Sequence, residues 1–264
     1  MATSWAIGEL NTNRAVQLEA AGRTFTLRQA PGSGMVGTSL WDSAVALVRH
    51  LDREGAGESG ALSADRLRQA RVIELGAGCG LAGMAFAAYG AHVTFTDKPE
   101  VMDHLEANVM QNFGAGGAGT SELRFSPFCW GTDPLVAGLS PPYDVVVATD
   151  VIYLQAQIAP LIHSLLALSD QRTAIVIAIE RRDESVWLDF QQALKAAFRV
   201  WRVSVNRMKS RLGEEEQQAA DFLGIFIARK RKRSPPPPKD EAVEAAEAAM
   251  VEPPGVAELE ALKL

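Results

Sequence analysis

Cysteine is scarce in this chain of 264 residues, which holds only Cys79 and Cys129. Two isolated thiols, with no Cys/His pattern at metal-ligand spacing, argue against a disulfide framework and against a bound metal. No run of about 18 apolar residues occurs, so no membrane-spanning helix is expected, and no secretory signal is recognisable. Positive charge is also short: 26 Lys and Arg face 32 Asp and Glu, for a net charge of −6. That balance excludes a general nucleic-acid-binding surface, although a local basic patch is compatible with it. The expectation is a soluble cytoplasmic protein with reduced thiols, a monomer without membrane or nucleic-acid partners. At 47 % hydrophobic residues, the length allows one large α/β domain with a sizeable core and some appendages.

The stretch from Arg71 to Gly83, RVIELGAGCGLAG, is the most informative part of the chain. Val72, Ile73 and Leu75 form the short apolar run of a buried parallel strand. Gly76, Gly78 and Gly80 allow a tight turn and close approach of a ligand to the backbone. Leu81, Met84, Ala85, Ala88 and Tyr89 then follow at helical spacing, so the turn stands where a helix N-terminus faces a ligand. A dinucleotide fingerprint needs glycine at its sixth position, and that position here is Leu81. The pattern from Glu74 to Gly80 instead resembles motif I of class I S-adenosylmethionine-dependent methyltransferases. A sulfonium carries no pyrophosphate, so a strand carboxylate, Glu74, is expected near the cationic methionine end. Cys79 within the turn reads as a small buried side chain and not a nucleophile. A second strand over Ala91 to Thr96 ends at Asp97, twenty-one residues after Gly76, where an acid accepts from two ribose hydroxyls. Asp97 also suits a helix N-cap, with Pro99 in the first turn.

Along the chain, residues 1–37 read as an amino-terminal extension with hairpin arms at Ala15 to Glu19 and Arg23 to Arg28. Residues 38–230 form the main domain. An amphipathic helix opens near Thr38 and runs through His50, and a Gly-rich loop spans Glu54 to Ser63. A helix from Glu100 to Asn112 leads to the glycine turn Gly114 to Gly119 and a third strand, Leu123 to Phe128. Tyr143 to Thr149 reads as a strand buried on both faces. Helix Gln155 to Leu168, strand Thr173 to Ile179 and helix Glu184 to Phe198 follow. Strands Phe198 to Val205 and Phe222 to Ala228, joined by the polar Lys209 to Ala220, complete seven strands. Residues 231–264 form a tail: the end of the basic run Arg229 to Arg233, a polyproline spacer and an acidic Ala/Glu segment, read as disordered. The basic run is either a solvated strand end or a nuclear import signal.

Asp150-Val151-Ile152-Tyr153 follows the fourth strand, and open α/β sheets bind ligands beyond their strand carboxyl ends. This D-x-x-Y, with Trp41-Asp42, the ELGAGCGLAG turn, Thr96-Asp97 and Trp130-Gly131, resembles the seven-strand protein-lysine methyltransferases of family 16 over about residues 35 to 200. The resemblance implies a Rossmann-like, mostly parallel seven-stranded sheet with helices on both faces and an antiparallel last strand. It implies S-adenosylmethionine as cofactor, a protein as substrate, no metal, and cofactor contacts at Trp41, Gly76, Ala77, Gly78, Asp97, Trp130 and Thr149. Asp150 and Tyr153 are the candidate catalytic pair. A lysine amine, with a pKa of about 10.4, arrives charged. Asp150 would anchor it, while Tyr153 and apolar walls orient and desolvate it. Asp150 could instead cap the next helix, and either tryptophan could be core. Ser140-Pro141-Pro142-Tyr143 spells an amino-methyltransferase signature but precedes the fourth strand, so it reads as a turn. Glu180-Arg181-Arg182 follows the fifth strand, where the resemblance implies an acidic-basic cluster facing the substrate; arginine pairs are commonly just solvated, and these three are not counted among the candidate site residues. Histidine, another protein nitrogen or a small molecule remain alternative acceptors, and a non-catalytic binding module a further one.

Overall fold

The two amino-terminal arms pair as β1 (Ala15–Ala20) and β2 (Arg23–Arg28), antiparallel and in a sheet of their own. Val16, Leu18, Ala20, Phe25 and Leu27 alternate to one buried face, which is what seats a two-stranded hairpin that is marginal alone. The structure, a computed structural model, describes residues 13–55, 62–114, 121–203 and 222–231. The sequence expectations for 1–12, most of the loop 54–63, the glycine turn beyond Gly114, the 209–220 connection and the tail beyond 231 lie outside the described residues.

A turn of 3-10 helix at Val36–Thr38 precedes α1 (Asp42–Gly55), so that helix begins later than the Thr38 start read from sequence. The short α2 (Ala64–Leu67) was not anticipated. Then come β3 (Arg71–Leu75), α3 (Leu81–Ala88), β4 (His92–Asp97), α4 (Pro99–Phe113), β5 (Leu123–Pro127), β6 (Val145–Thr149), α5 (Ile158–Leu168), β7 (Ala174–Glu180), α6 (Glu184–Ala197), β8 (Phe198–Arg202) and β9 (Leu223–Lys230). β3 to β9 make one seven-stranded sheet in the order β5-β4-β3-β6-β7-β9-β8. β3 to β7 are mutually parallel, and β9 runs antiparallel to β7 and β8. The class I methyltransferase architecture is therefore present, with its antiparallel last strand inserted between two earlier ones.

The central strands are apolar on both faces because both are covered. Val72, Val145, Val147 and Val176 pack with α1, α3 and the hairpin. Ile73, Leu75, Val146, Ala148 and Ile177 pack with α5 and α6. Strand order reverses between β3 and β6, so a crevice opens beyond their carboxyl ends. Among the described residues no helix is long and apolar enough to cross a membrane. The Ser140–Tyr143 segment enters β6 at the opposite end of the sheet, where the Arg71 guanidinium donates to the carbonyls of Ser140 and Pro142. It takes no part in the crevice.

Candidate functional site

A cavity of about 530 Å³ fills that crevice. Its floor is the turn after β3. Gly76, Gly78 and Gly80 have φ of 62°, 55° and 82°, left-handed values that favour glycine. Space closes the same argument: a Cβ on Gly76 would stand 2.9 Å from Val151 Cγ1 and 3.0 Å from Trp130 Cζ2, and one on Gly78 would stand 3.0 Å from the Gly37 carbonyl oxygen. Gly80, as N-cap of α3, offers no side-chain oxygen to the helix's first N–H groups.

Glu74 supplies that oxygen. Its Oε2 accepts the Gly83 N–H at 2.9 Å, satisfying one of the donors a helix start leaves open. The side chain is fully buried, Oε1 has no partner among the described residues, and burial pushes the carboxyl up to about 8. Glu74 does not line the cavity. The expectation that it faces a sulfonium is thus corrected: it is directed to the α3 side of the sheet and caps a helix from below. Cys79 lines the cavity as a buried thiol, raised by burial to about 12.

Asp97, the last residue of β4, lines the cavity. Its Oδ2 accepts the Gly78 N–H at 2.8 Å and its Oδ1 the Lys98 N–H at 2.7 Å. Each oxygen retains a lone pair for a ligand hydroxyl. Burial raises its affinity for a proton, and the two backbone donors and Lys98 work against that. It is not the cap of α4, whose N-cap is Lys98. Trp130 and Trp41 form two walls, the latter fixed by its Nε1–H donating to Val36 O at 3.2 Å. Ala77 and Thr149 line the same space.

Asp150 and Tyr153 line this cavity as well. Asp150 has φ 54°, a left-handed conformation that Asp tolerates at a cost of about 1 kcal/mol. That backbone turn brings Oδ1 within 3.2 Å of the Glu180 N–H and Oδ2 within 2.6 Å of Arg182 Nη2. Burial lifts the Asp150 carboxyl to about 6, against the pull of Arg182 and the Glu180 N–H. The alternative in which Asp150 caps the next helix is not what the chain does: Gln157 Oε1 accepts from the N–H groups of Tyr153 and Leu154 at 3.1 and 3.0 Å. The half-buried Tyr153 thereby gains a fixed backbone, and its hydroxyl has no hydrogen-bond partner among the described residues. Arg182 and Glu180, not counted among the candidate site residues from sequence, both meet Asp150 here. The strand-end rule that singled out Asp150 applies equally to them.

The chain matches the lysine methyltransferase family over residues 20–196. It belongs to that family. Among curated proteins it is similar to the protein N-lysine methyltransferase METTL21A of Xenopus tropicalis, 32 % identical over 165 residues, covering 62 % of this chain and 70 % of that protein. The EEF1A lysine methyltransferase 3 of Mus musculus is 30 % identical over 164 residues, covering 62 % and 64 %. Two solved structures share the fold. The T. thermophilus 16S rRNA N2 G1207 methyltransferase RsmC, in complex with AdoMet and guanosine, has a TM-score of 0.52 at 16 % identity, covering 83 % of this chain and 50 % of that one. The methyltransferase SMU.776, complexed with SAH, has a TM-score of 0.53 at 11 % identity, covering 82 % and 56 %. This family member is an S-adenosylmethionine-dependent lysine methyltransferase. The residues present fit the cofactor: the glycine turn leaves room where Cβ atoms would obstruct it, and Asp97 offers acceptors beside it.

Proposed function

We propose that this enzyme methylates the side-chain amine of a lysine in another protein, with Asp150 and Tyr153 presenting the amine and the glycine turn, Asp97, Trp41, Trp130 and Thr149 holding the methyl donor. The observation that carries this reading is the single cavity shared by all of them. The names of the relatives, protein N-lysine and EEF1A lysine methyltransferases, support a protein as the acceptor. When bound, S-adenosylmethionine supplies an electrophilic methyl on sulfur: the nitrogen–carbon bond forms as the carbon–sulfur bond breaks, and the bonding pair leaves with sulfur as S-adenosylhomocysteine. Asp97 would accept from the ribose hydroxyls, and the Gly76 to Gly78 backbone would hold the donor from below. Asp150 accepts an N–H of the amine, the free Tyr153 hydroxyl orients it, and Val151, Leu154 and Trp41 exclude water from the nitrogen.

The test is labelled S-adenosylmethionine with purified enzyme and cell extract, followed by amino-acid analysis of the labelled protein. Methyl-lysine is expected, and methylhistidine or label confined to RNA or metabolites overturns the reading. Asp150→Asn should lower the rate about 100-fold through lost positioning, with S-adenosylhomocysteine affinity by calorimetry nearly unchanged.

A further inference from the structure

Arg182 makes three contacts at the acceptor end. One nitrogen, Nη2, donates to Asp150 Oδ2 at 2.6 Å and to Glu180 Oε2 at 2.8 Å. Its Cζ stands 4.3 Å from the centre of the Trp41 ring, an arrangement in which the guanidinium is attracted to the indole face. The side chain is 19 % exposed and that of Asp150 5 %, so water screens the pair poorly. Among the described residues, the charged and polar groups that face Asp150 come from two elements. From the end of β7 and the turn after it come Glu180 and Arg182, and from α1 the buried Ser43 hydroxyl. The segment that carries Tyr153 brings none. Arg181 is turned away to Glu184, at 3.4 Å, and the Phe222 ring.

We propose that Arg182 is a positioning residue that cancels the charge of Asp150, so that the site holds the acceptor lysine as a neutral amine and does not trap it as ammonium. The inference rests on the assignment of Asp150 and Tyr153 to the acceptor end given above. An amine with a pKa of about 10.4 is neutral in roughly one molecule in 2,500 at pH 7. A bare carboxylate beside it favours the charged form by a further 1–3 pH units or so. Such a site would bind lysine well and leave its nitrogen lone pair occupied by a proton. With a guanidinium bonded to the same carboxylate, the Asp150–Arg182 pair is neutral, and together with Glu180 the group carries one negative charge in place of two. The remaining lone pairs of Asp150 still accept an N–H, so the amine is oriented by a carboxylate whose own charge is offset, with less bias towards ammonium. Its proton leaves to bulk water, and the lone pair stays on nitrogen for bond formation. The reacting state lacks protons on both Asp150 and the amine, and a neighbouring cation promotes both losses.

The experiment is a rate profile from pH 6 to 10, reading label transferred from S-adenosylmethionine to the protein band that the wild-type enzyme methylates in cell extract. For Arg182→Gln the acid limb should move up by about 1 pH unit or more, with most of the rate recovered at the alkaline end. Arg182→Lys, which keeps the cation, should keep the wild-type midpoint. A lowered Arg182→Gln profile with an unmoved midpoint reduces the residue to packing and overturns the proposal, as does an Arg182→Lys midpoint that follows Arg182→Gln. If wild-type enzyme labels no lysine, the failure lies with the acceptor assignment and removes the inference with it.

Discussion

Glu74 is a carboxyl group sealed between a strand and a helix, one oxygen bonded to the Gly83 N–H and the other to nothing among the described residues. Its proton affinity in the fold, raised from 4.5 to about 8 by burial, links stability to pH. Between those values the folded chain carries a proton that the unfolded chain has lost, so the contribution of this group to stability is full below about 4.5 and falls as pH rises towards 8. Glu74→Gln keeps an oxygen acceptor and removes the titration, and thermal melts of that variant from pH 5 to 8 should decline less steeply than those of the wild type. A variant that tracks the wild-type decline would assign the pH dependence elsewhere. The direction of Glu74 was not legible in the sequence because β3 is buried on both faces, which leaves its alternation without a polar side to read. Asp97, Asp150 and Tyr153 were legible because strand ends and glycine spacing locate them without any knowledge of rotamers. The Asp150–Arg182 pair was not, since it joins residues 32 apart whose juxtaposition needs β6 and β7 already placed side by side.

The hairpin is held by an element that sequence periodicity gives no reason to connect with it. On α4, Asn108 Oδ1 accepts the Arg28 N–H at 2.8 Å while its Nδ2 donates to Arg28 O at 3.0 Å. Asn112 does the same with Thr26, both at 2.8 Å. Two amides one helical turn apart thus stand in for a third strand along the outer edge of β2. Asn108→Ala or Asn112→Ala leaves a backbone N–H and C=O of β2 without these partners, and each substitution should cost about 1–3 kcal/mol of local stability. Hydrogen exchange should then speed at residues 23–28 while β3 and β6 keep their protection; uniform acceleration across the sheet would contradict a local role. The hairpin arms and the parallel strands were readable from alternation and apolar runs. The turn at Val36–Thr38 and the four-residue α2 were not, because neither is long enough to show a period.

For the whole molecule, the cavity joins the turn after β3, the ends of β4 and β6 and the strap 33–41, so a ligand there ties together segments distant in sequence. Free S-adenosylhomocysteine at 100 times its dissociation constant should stabilise the fold by about 2.7 kcal/mol. For a chain of this size that is a rise in Tm of about 5–10 °C. NAD at the same concentration should leave Tm where it was, and an equal rise with NAD would contradict the cofactor assignment. The placement of β9 carries a consequence for how the chain is made. β9 is the last strand among the described residues, yet it lies between β7 and β8, and β7 is almost wholly apolar, reading AIVIAIE with six buried residues. During synthesis, every residue through Lys230 must leave the ribosome before the inner edge of β7 can be covered. Until then the nascent chain presents an unpaired apolar strand edge, the kind of surface on which chains associate with one another. The emergence of β9 (Leu223–Lys230) therefore sets the interval during which this enzyme depends on being kept apart from its neighbours.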